Sequence, residues 1–204
     1  FREPVDIRLL IQGQPSYRWL FVREGAGIET PADLNGKTIV GGRRALPELR
    51  ILLNAFIEHF ELDESSMKIV ETTETNAVVL PFGPRAGGIE EAMRAGAMKF
   101  LSVSPEDRDA MLELLPAAFS GVDQPAADFS NQPDVVPLTS LKTYLISGAD
   151  LDEDVAYDVV KGLFENHEEF VSYHGAARHW TVENTLRPPA IPFHPGAIRY
   201  LEEA

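Results

Sequence analysis

Short runs of consecutive apolar residues alternate along this chain with longer segments whose apolar residues recur at helical spacing, and that alternation restricts it to α/β architecture. Lys37–Val40 reads as a strand ending in Gly41-Gly42, and Leu46–Phe60 follows with Leu49, Leu52, Leu53, Phe56 and Phe60 on one helix face. Met67–Val70 and Ala77–Phe82 read as strands, Ile89–Ala97 as a helix and Lys99–Val103 as a strand. Pro105–Leu115 reads as a helix with proline in its first turn. Further on, Leu141–Ser147 reads as a strand and Asp152–Tyr173 as the longest helix. Val155, Val159, Leu163, Phe164 and Phe170 form its expected buried stripe, and acidic residues at its start favour the dipole. Thr181 can cap a short helix, and Pro195 can open the last one. Elements in this order predict a largely parallel sheet.

Ahead of these elements, Ile7–Ile11 and the segment where Tyr17, Trp19 and Phe21 alternate with Arg18, Leu20 and Val22 read as two strands broken at Gly13-Gln14-Pro15. Thr30-Pro31-Ala32-Asp33 signals one helical turn, and the Pro-, Asp-, Gln- and Asn-rich stretch Gly121–Pro137 a loop or linker. One place conflicts with the scheme. Only the six residues Glu71 to Asn76 separate two strands, whereas a parallel crossover needs about 10–12 residues or more. Either these strands are not parallel neighbours, or a helix has been lost, or residues are missing; the last two readings are preferred.

At 204 residues the chain suits one large domain or two small lobes. A formal charge of −14 disfavours nucleic acid as a partner, because phosphate binding needs concentrated Lys and Arg. No apolar run reaches the ~18–20 residues that span a bilayer. Cysteine is absent, which removes disulfides, thiolate metal sites and cysteine nucleophiles. The opening at Phe1 shows no secretory signal, which by itself reads as a soluble, cytoplasmic protein.

Against the acidic background, Arg43-Arg44 is the only adjacent basic pair. It follows Gly41-Gly42 at a strand-to-helix corner, where free backbone N–H groups and the helix dipole favour an anion. Guanidinium adds a fork that grips a carboxylate. The competing reading is a plain turn with solvated arginines. Phe82-Gly83-Pro84-Arg85 also follows a strand and precedes a helix, so Phe82 could pack on a ligand and Arg85 pair with an acid; a simple turn explains it as well. Tyr17, Trp19 and Tyr144 could form an aromatic wall, or equally pack in a core. None of the five histidines forms the i, i+4 pair of a helical zinc site, so no metal is expected. Nucleophile elbows, P-loops and dinucleotide fingerprints are absent, so neither catalysis nor a cofactor is expected.

Two stretches carry a resemblance. Gly27-Ile28-Glu29-Thr30-Pro31-Ala32-Asp33-Leu34-Asn35-Gly36-Lys37 and the terminal His194-Pro195-Gly196-Ala197-Ile198-Arg199-Tyr200 are similar to signatures of the TAXI-type solute receptors of TRAP transporters. Asp150–Tyr157, Leu163–Asn166 and Thr181–Asn184 follow that pattern in order. The resemblance implies a two-lobed, periplasmic-binding-protein-like (type II) α/β fold with an incomplete first lobe. Residues 24–135 would form the middle ligand-binding lobe, and 1–23 with 136–204 the hinge strands and C-terminal helices of the other. It further implies a periplasmic protein whose leader and first sheet elements precede Phe1. Such a receptor closes around a small organic acid of the glutamate or 2-oxoglutarate kind and delivers it to a TRAP-type membrane permease. Arg43-Arg44-Ala45-Leu46 departs from the family's Gly-Ser-Gly-Thr-like run, which puts the usual ligand in doubt but not the pocket's position. An enzyme or a sensory ligand domain on the same scaffold is the alternative.

Overall fold

The computed structural model describes residues 5–71, 75–84 and 86–204. The chain forms two compact units, residues 16–141 and residues 1–15 with 142–204. It passes between them twice, inside the long strands β1 (Ile7–Arg23) and β7 (Val136–Gly148).

The 16–141 unit holds β2 (Thr38–Val40), β3 (Lys68–Val70), β4 (Ala77–Phe82), β5 (Met98–Phe100) and β6 (Phe119–Gln124). Strands lie in the order β3-β2-β4-β1-β7-β6, with β5 also beside β1. The sheet is mixed, not largely parallel. β2 is parallel to β3 and β4, while β1 is antiparallel to β4 and β5, and β6 to β7. Alternating helices and strands record element type only; strand direction depends on partners distant in sequence. Helices α1 (Glu48–His59), α2 (Gly87–Arg94) and α3 (Pro105–Glu113) complete the unit. The α1 face buries Leu49, Leu52, Leu53 and Phe56, as its spacing predicts. Trp19 meets Phe56 edge-on at 5.1 Å and donates its indole N–H to Leu101 O at 2.8 Å. Full burial of each such large apolar side chain stabilises by about 1.5–3 kcal/mol.

Several expectations are corrected here. Gly13-Gln14-Pro15 does not break the first strand, which runs through it. A Cβ at Gly13 would collide with the Trp180 indole, so that glycine serves a close approach and not a turn. The stretch read as a loop from Gly121 begins as β6, its residues paired with β7 from Phe119↔Leu141 to Gln124↔Val136. β3 and β4 are not neighbours, because β2 lies between them. The first of the three readings of the short connection therefore holds; its residues 72–74 lie outside those described. Thr75 Oγ–H and Asn76 N–H both donate to Thr38 O, at 2.7 and 2.9 Å, where the chain re-enters the sheet.

In the other unit, the expected long helix is two, α4 (Glu153–Glu165) and α5 (His167–Tyr173), joined at Asn166 with φ −110° and ψ 30°. α6 (Val182–Thr185) is capped by Thr181, whose Oγ accepts from Asn184 N–H at 3.1 Å, and α7 (Pro195–Glu203) ends the chain. The buried residues of α4 are Ala156 and Val160, while Val155 and Val159 are 48% and 39% exposed. The close approach of α7 explains the small residues: a Cβ on Gly196 would strike Glu153 O, Tyr157 N and Ala156 Cβ. Among the described residues no helix is long and apolar enough to cross a membrane.

Candidate functional site

β2 and β3 are parallel neighbours, registered Ile39↔Ile69 and Val40↔Val70, so the residues that follow each strand emerge side by side. Gly41 N–H reaches Val70 O at 3.4 Å. From this edge β2 continues into Gly41-Gly42-Arg43-Arg44, and Leu46 N–H closes a turn onto Arg43 O at 2.8 Å before α1 begins. The two glycines differ. A Cβ at Gly41 would enter the Leu53 side chain, so packing of the strand end on α1 demands glycine there. At Gly42 the nearest atom, Arg50 Cβ, is 3.4 Å away, an ordinary contact.

A cavity of about 310 Å³ opens at these strand ends. Arg43, Arg44 and Arg50 supply its cationic wall, Glu71 its one carboxylate, and Gly42, Pro47, Ile69 and Val70 the remainder. Its size lies at the lower end of small-molecule pockets, about 300–1,000 Å³. It sits outside the carboxyl ends of parallel strands, where open α/β sheets take their ligands. Arg50 donates to Glu64 at 2.5 Å. Arg43 and Arg44 are exposed and have no ion pair among the described residues. Glu48, in the first turn of α1, is already engaged: buried Arg18 donates to it from Nε and Nη2 at 3.1 and 3.0 Å. Arg43 and Arg44 are therefore unopposed by the helix's own first acid, and the site is chemically suited to a small anion.

The structure thus brings Gly42, Arg43 and Arg44 to one cavity, with Gly41 packed behind them. Phe82 is elsewhere, 6% exposed in a ring cluster with Tyr17 and Phe21 (both 5.3 Å), Phe100 (5.9 Å) and Phe129 (6.2 Å). Arg85 lies outside the described residues. Tyr144 is half-buried on β7 in the other unit and does not line this cavity. Tyr17 and Trp19 are core residues, and burial, with the Asp128 charge, raises the Tyr17 hydroxyl pKa above its usual value. Arg50 and Glu71 are the residues sequence reasoning missed. The available signal was that Glu71 follows a strand end just as Gly41 does, but using it requires knowing that β3 lies beside β2.

His194 is structural, 2% exposed and capping α7, and no group of three or more metal-binding side chains occurs among the described residues. A wider depression of about 710 Å³ borders Glu90 and residues 127–133. The Glu90 carboxylate there is taken up by Ser130 and Arg94.

A family model described as the NMT1-like family matches residues 1–204. The chain belongs to the NMT1-like family. This NMT1-like chain is also similar to two solved proteins. One is described as a putative sulfonate ABC transporter, periplasmic sulfonate-binding protein SsuA from Methylobacillus flagellatus KT, at 12% identity and TM-score 0.46, covering 90% of this chain and 56% of that one. The other is described as the substrate binding protein of an amino acid ABC transporter, at 13% identity and TM-score 0.33, covering 86% of this chain and 63% of that one. The chain therefore spans 56% and 63% of the lengths of these two proteins.

Proposed function

We propose that this NMT1-like chain is the ligand-binding part of a periplasmic solute receptor of the TAXI type, built on the two-lobed type II binding-protein plan. It binds a small organic acid of the glutamate or 2-oxoglutarate kind at the Arg43–Arg44 corner and hands it to a TRAP-type permease without catalysis. The observation that carries this reading is three arginines lining one small cavity at parallel strand ends, on a chain whose net charge is −14. A cationic corner in an acidic protein concentrates small anions locally while the remainder of the surface repels them. The middle lobe, residues 24–135, holds the acid, while 1–23 and 136–204 supply hinge strands and the helices of the other lobe. The acid contacts both lobes only when they are closed, so binding shifts the population toward closure.

The test is a thermal-shift screen against mono- and dicarboxylates, repeated on Arg43→Ala and Arg44→Ala. The expected outcome is an acid-induced rise in Tm that both variants lose, since deleting a charged hydrogen-bond partner costs about 1.5–3 kcal/mol. Unchanged shifts in both variants would remove the corner from the site. Consumption of the bound acid would replace the receptor by an enzyme.

A further inference from the structure

Asn35-Gly36 is the chain's one Asn-Gly pair. Both residues are exposed, between the Pro31–Leu34 turn and β2, and Gly36 has φ +76°, a conformation that favours glycine. One turn holds both reactive groups of the pair. Asp63 N–H donates to Asn35 Oδ1 at 2.9 Å, and Gly36 N–H donates to Ser66 Oγ at 3.1 Å. Ser66 Oγ–H donates onward to Asp63 O at 2.7 Å, which leaves the oxygen's lone pairs free to accept from Gly36. With ψ at 132°, Asn35 also directs the Gly36 nitrogen away from its own side chain.

We propose that Asn35 is a deamidation site whose chemistry is restrained by Ser66 and released when the 63–66 turn opens. In the reaction the Gly36 nitrogen loses its proton to solvent base and attacks Asn35 Cγ. The new C–N bond closes a succinimide, the Cγ–Nδ2 bond breaks, and the departing nitrogen takes a proton from water and leaves as ammonia. Water then opens the ring at either carbonyl, giving aspartate or isoaspartate; nothing is oxidised or reduced. While its N–H is bonded to Ser66 Oγ, the Gly36 nitrogen keeps both its proton and its direction, so attack waits for that bond to break. Asp63 N–H acts the other way, because it points at the oxygen that turns negative during the attack and would steady it. The restraint therefore lies at Ser66. Exposed turns open locally without unfolding the core, and isoaspartate would insert a methylene into the main chain just ahead of β2. The proposal is independent of what the Arg43–Arg44 corner binds.

The experiment incubates wild type, Ser66→Ala, Ser66→Thr and Asn35→Gln at mildly alkaline pH, folded and in urea. Peptide mass spectrometry follows deamidation, with isoaspartate resolved from aspartate. Folded Ser66→Ala should deamidate at Asn35 about two- to tenfold faster than folded wild type, the range expected for one lost hydrogen bond. Ser66→Thr keeps the hydroxyl and should match wild type, the unfolded chains should share one faster rate, and Asn35→Gln should abolish the signal. An unchanged thermal transition in Ser66→Ala makes the acceleration local. Equal folded rates for wild type and Ser66→Ala overturn the restraint. So does a folded wild-type rate equal to the rate in urea, a comparison that needs no variant to fold. Earlier deamidation at another asparagine overturns the site itself.

Discussion

His194 donates its Nε2–H to the Leu151 carbonyl at 3.0 Å, while its Nδ1 accepts the Gly196 N–H at 3.2 Å. One imidazole thus caps α7 and ties that cap to the turn preceding α4. The neutral Nε2–H tautomer is required, since a carbonyl can only accept. The same residue is held from its backbone side by β1, through His194 N–H to Leu9 O at 2.8 Å. His194→Ala removes both side-chain bonds in a buried position and should cost about 2–3 kcal/mol in denaturant unfolding. His194→Asn keeps a capping oxygen but not the reach to Leu151, so it should recover part of that loss. Equal stability of the alanine variant and wild type would deny the tie.

Gly196 and Gly162 make opposite predictions. A Cβ at Gly196 meets the α4 backbone, so Gly196→Ala should destabilise by about 1–3 kcal/mol, the usual cost of overpacking. Gly162 lies within α4, exposed, with nothing within 4 Å of an added Cβ. Gly162→Ala should therefore stabilise by roughly 0.5–1 kcal/mol through helix propensity alone. Urea midpoints of the two variants moving in the same direction would contradict the packing described here.

Acid should loosen the 125–134 loop first. Glu90 accepts from Ser130 Oγ–H at 2.7 Å, Ser130 N–H at 2.8 Å and Arg94 at 3.0 Å. These bonds, the Ser130 hydroxyl foremost, lower its pKa from 4.5 to about 2. A depressed carboxylate contributes stability above its unfolded pKa and loses it as pH falls through the folded one. The contribution is thus intact above pH 4.5 and fades toward pH 2. Glu90→Gln should flatten that part of the Tm-against-pH curve. Asp107, whose pKa is lowered by the His59 and Ser104 hydrogen bonds, retains its own acid sensitivity in the variant. Parallel curves for variant and wild type would show that Glu90 is not the titrating latch.

The elements that could be read from the chain are those written in nearest-neighbour terms. The α1 stripe, the Thr30-Pro31 turn, the prolines opening α3 and α7 and the strand Ala77–Phe82 depend on local propensity and periodicity, and all recur in the structure. The α4 stripe holds only in part. Leu163 and Phe164 pack against the cluster of Ala156, Val160 and Tyr200, but Val155 and Val159 are exposed, because α7 approaches through Gly196 against the face that carries Ala156. The continuity of β1 through Pro15 was hidden in the same way, because the explanation for Gly13 lies at Trp180, far along the chain.

The corner Gly41–Arg44 was legible because a strand, two glycines and a helix start are adjacent in sequence, and local chemistry suffices to mark an anion-favouring junction. Arg50 and Glu71 became part of it only when β3 paired in parallel with β2 and brought two strand ends together. Local sequence therefore determined the type of most helix and strand segments and where cationic charge collects. Strand partners, helix approach and the company each charge keeps were decided by tertiary contacts between residues distant in sequence, which no short-range pattern encodes.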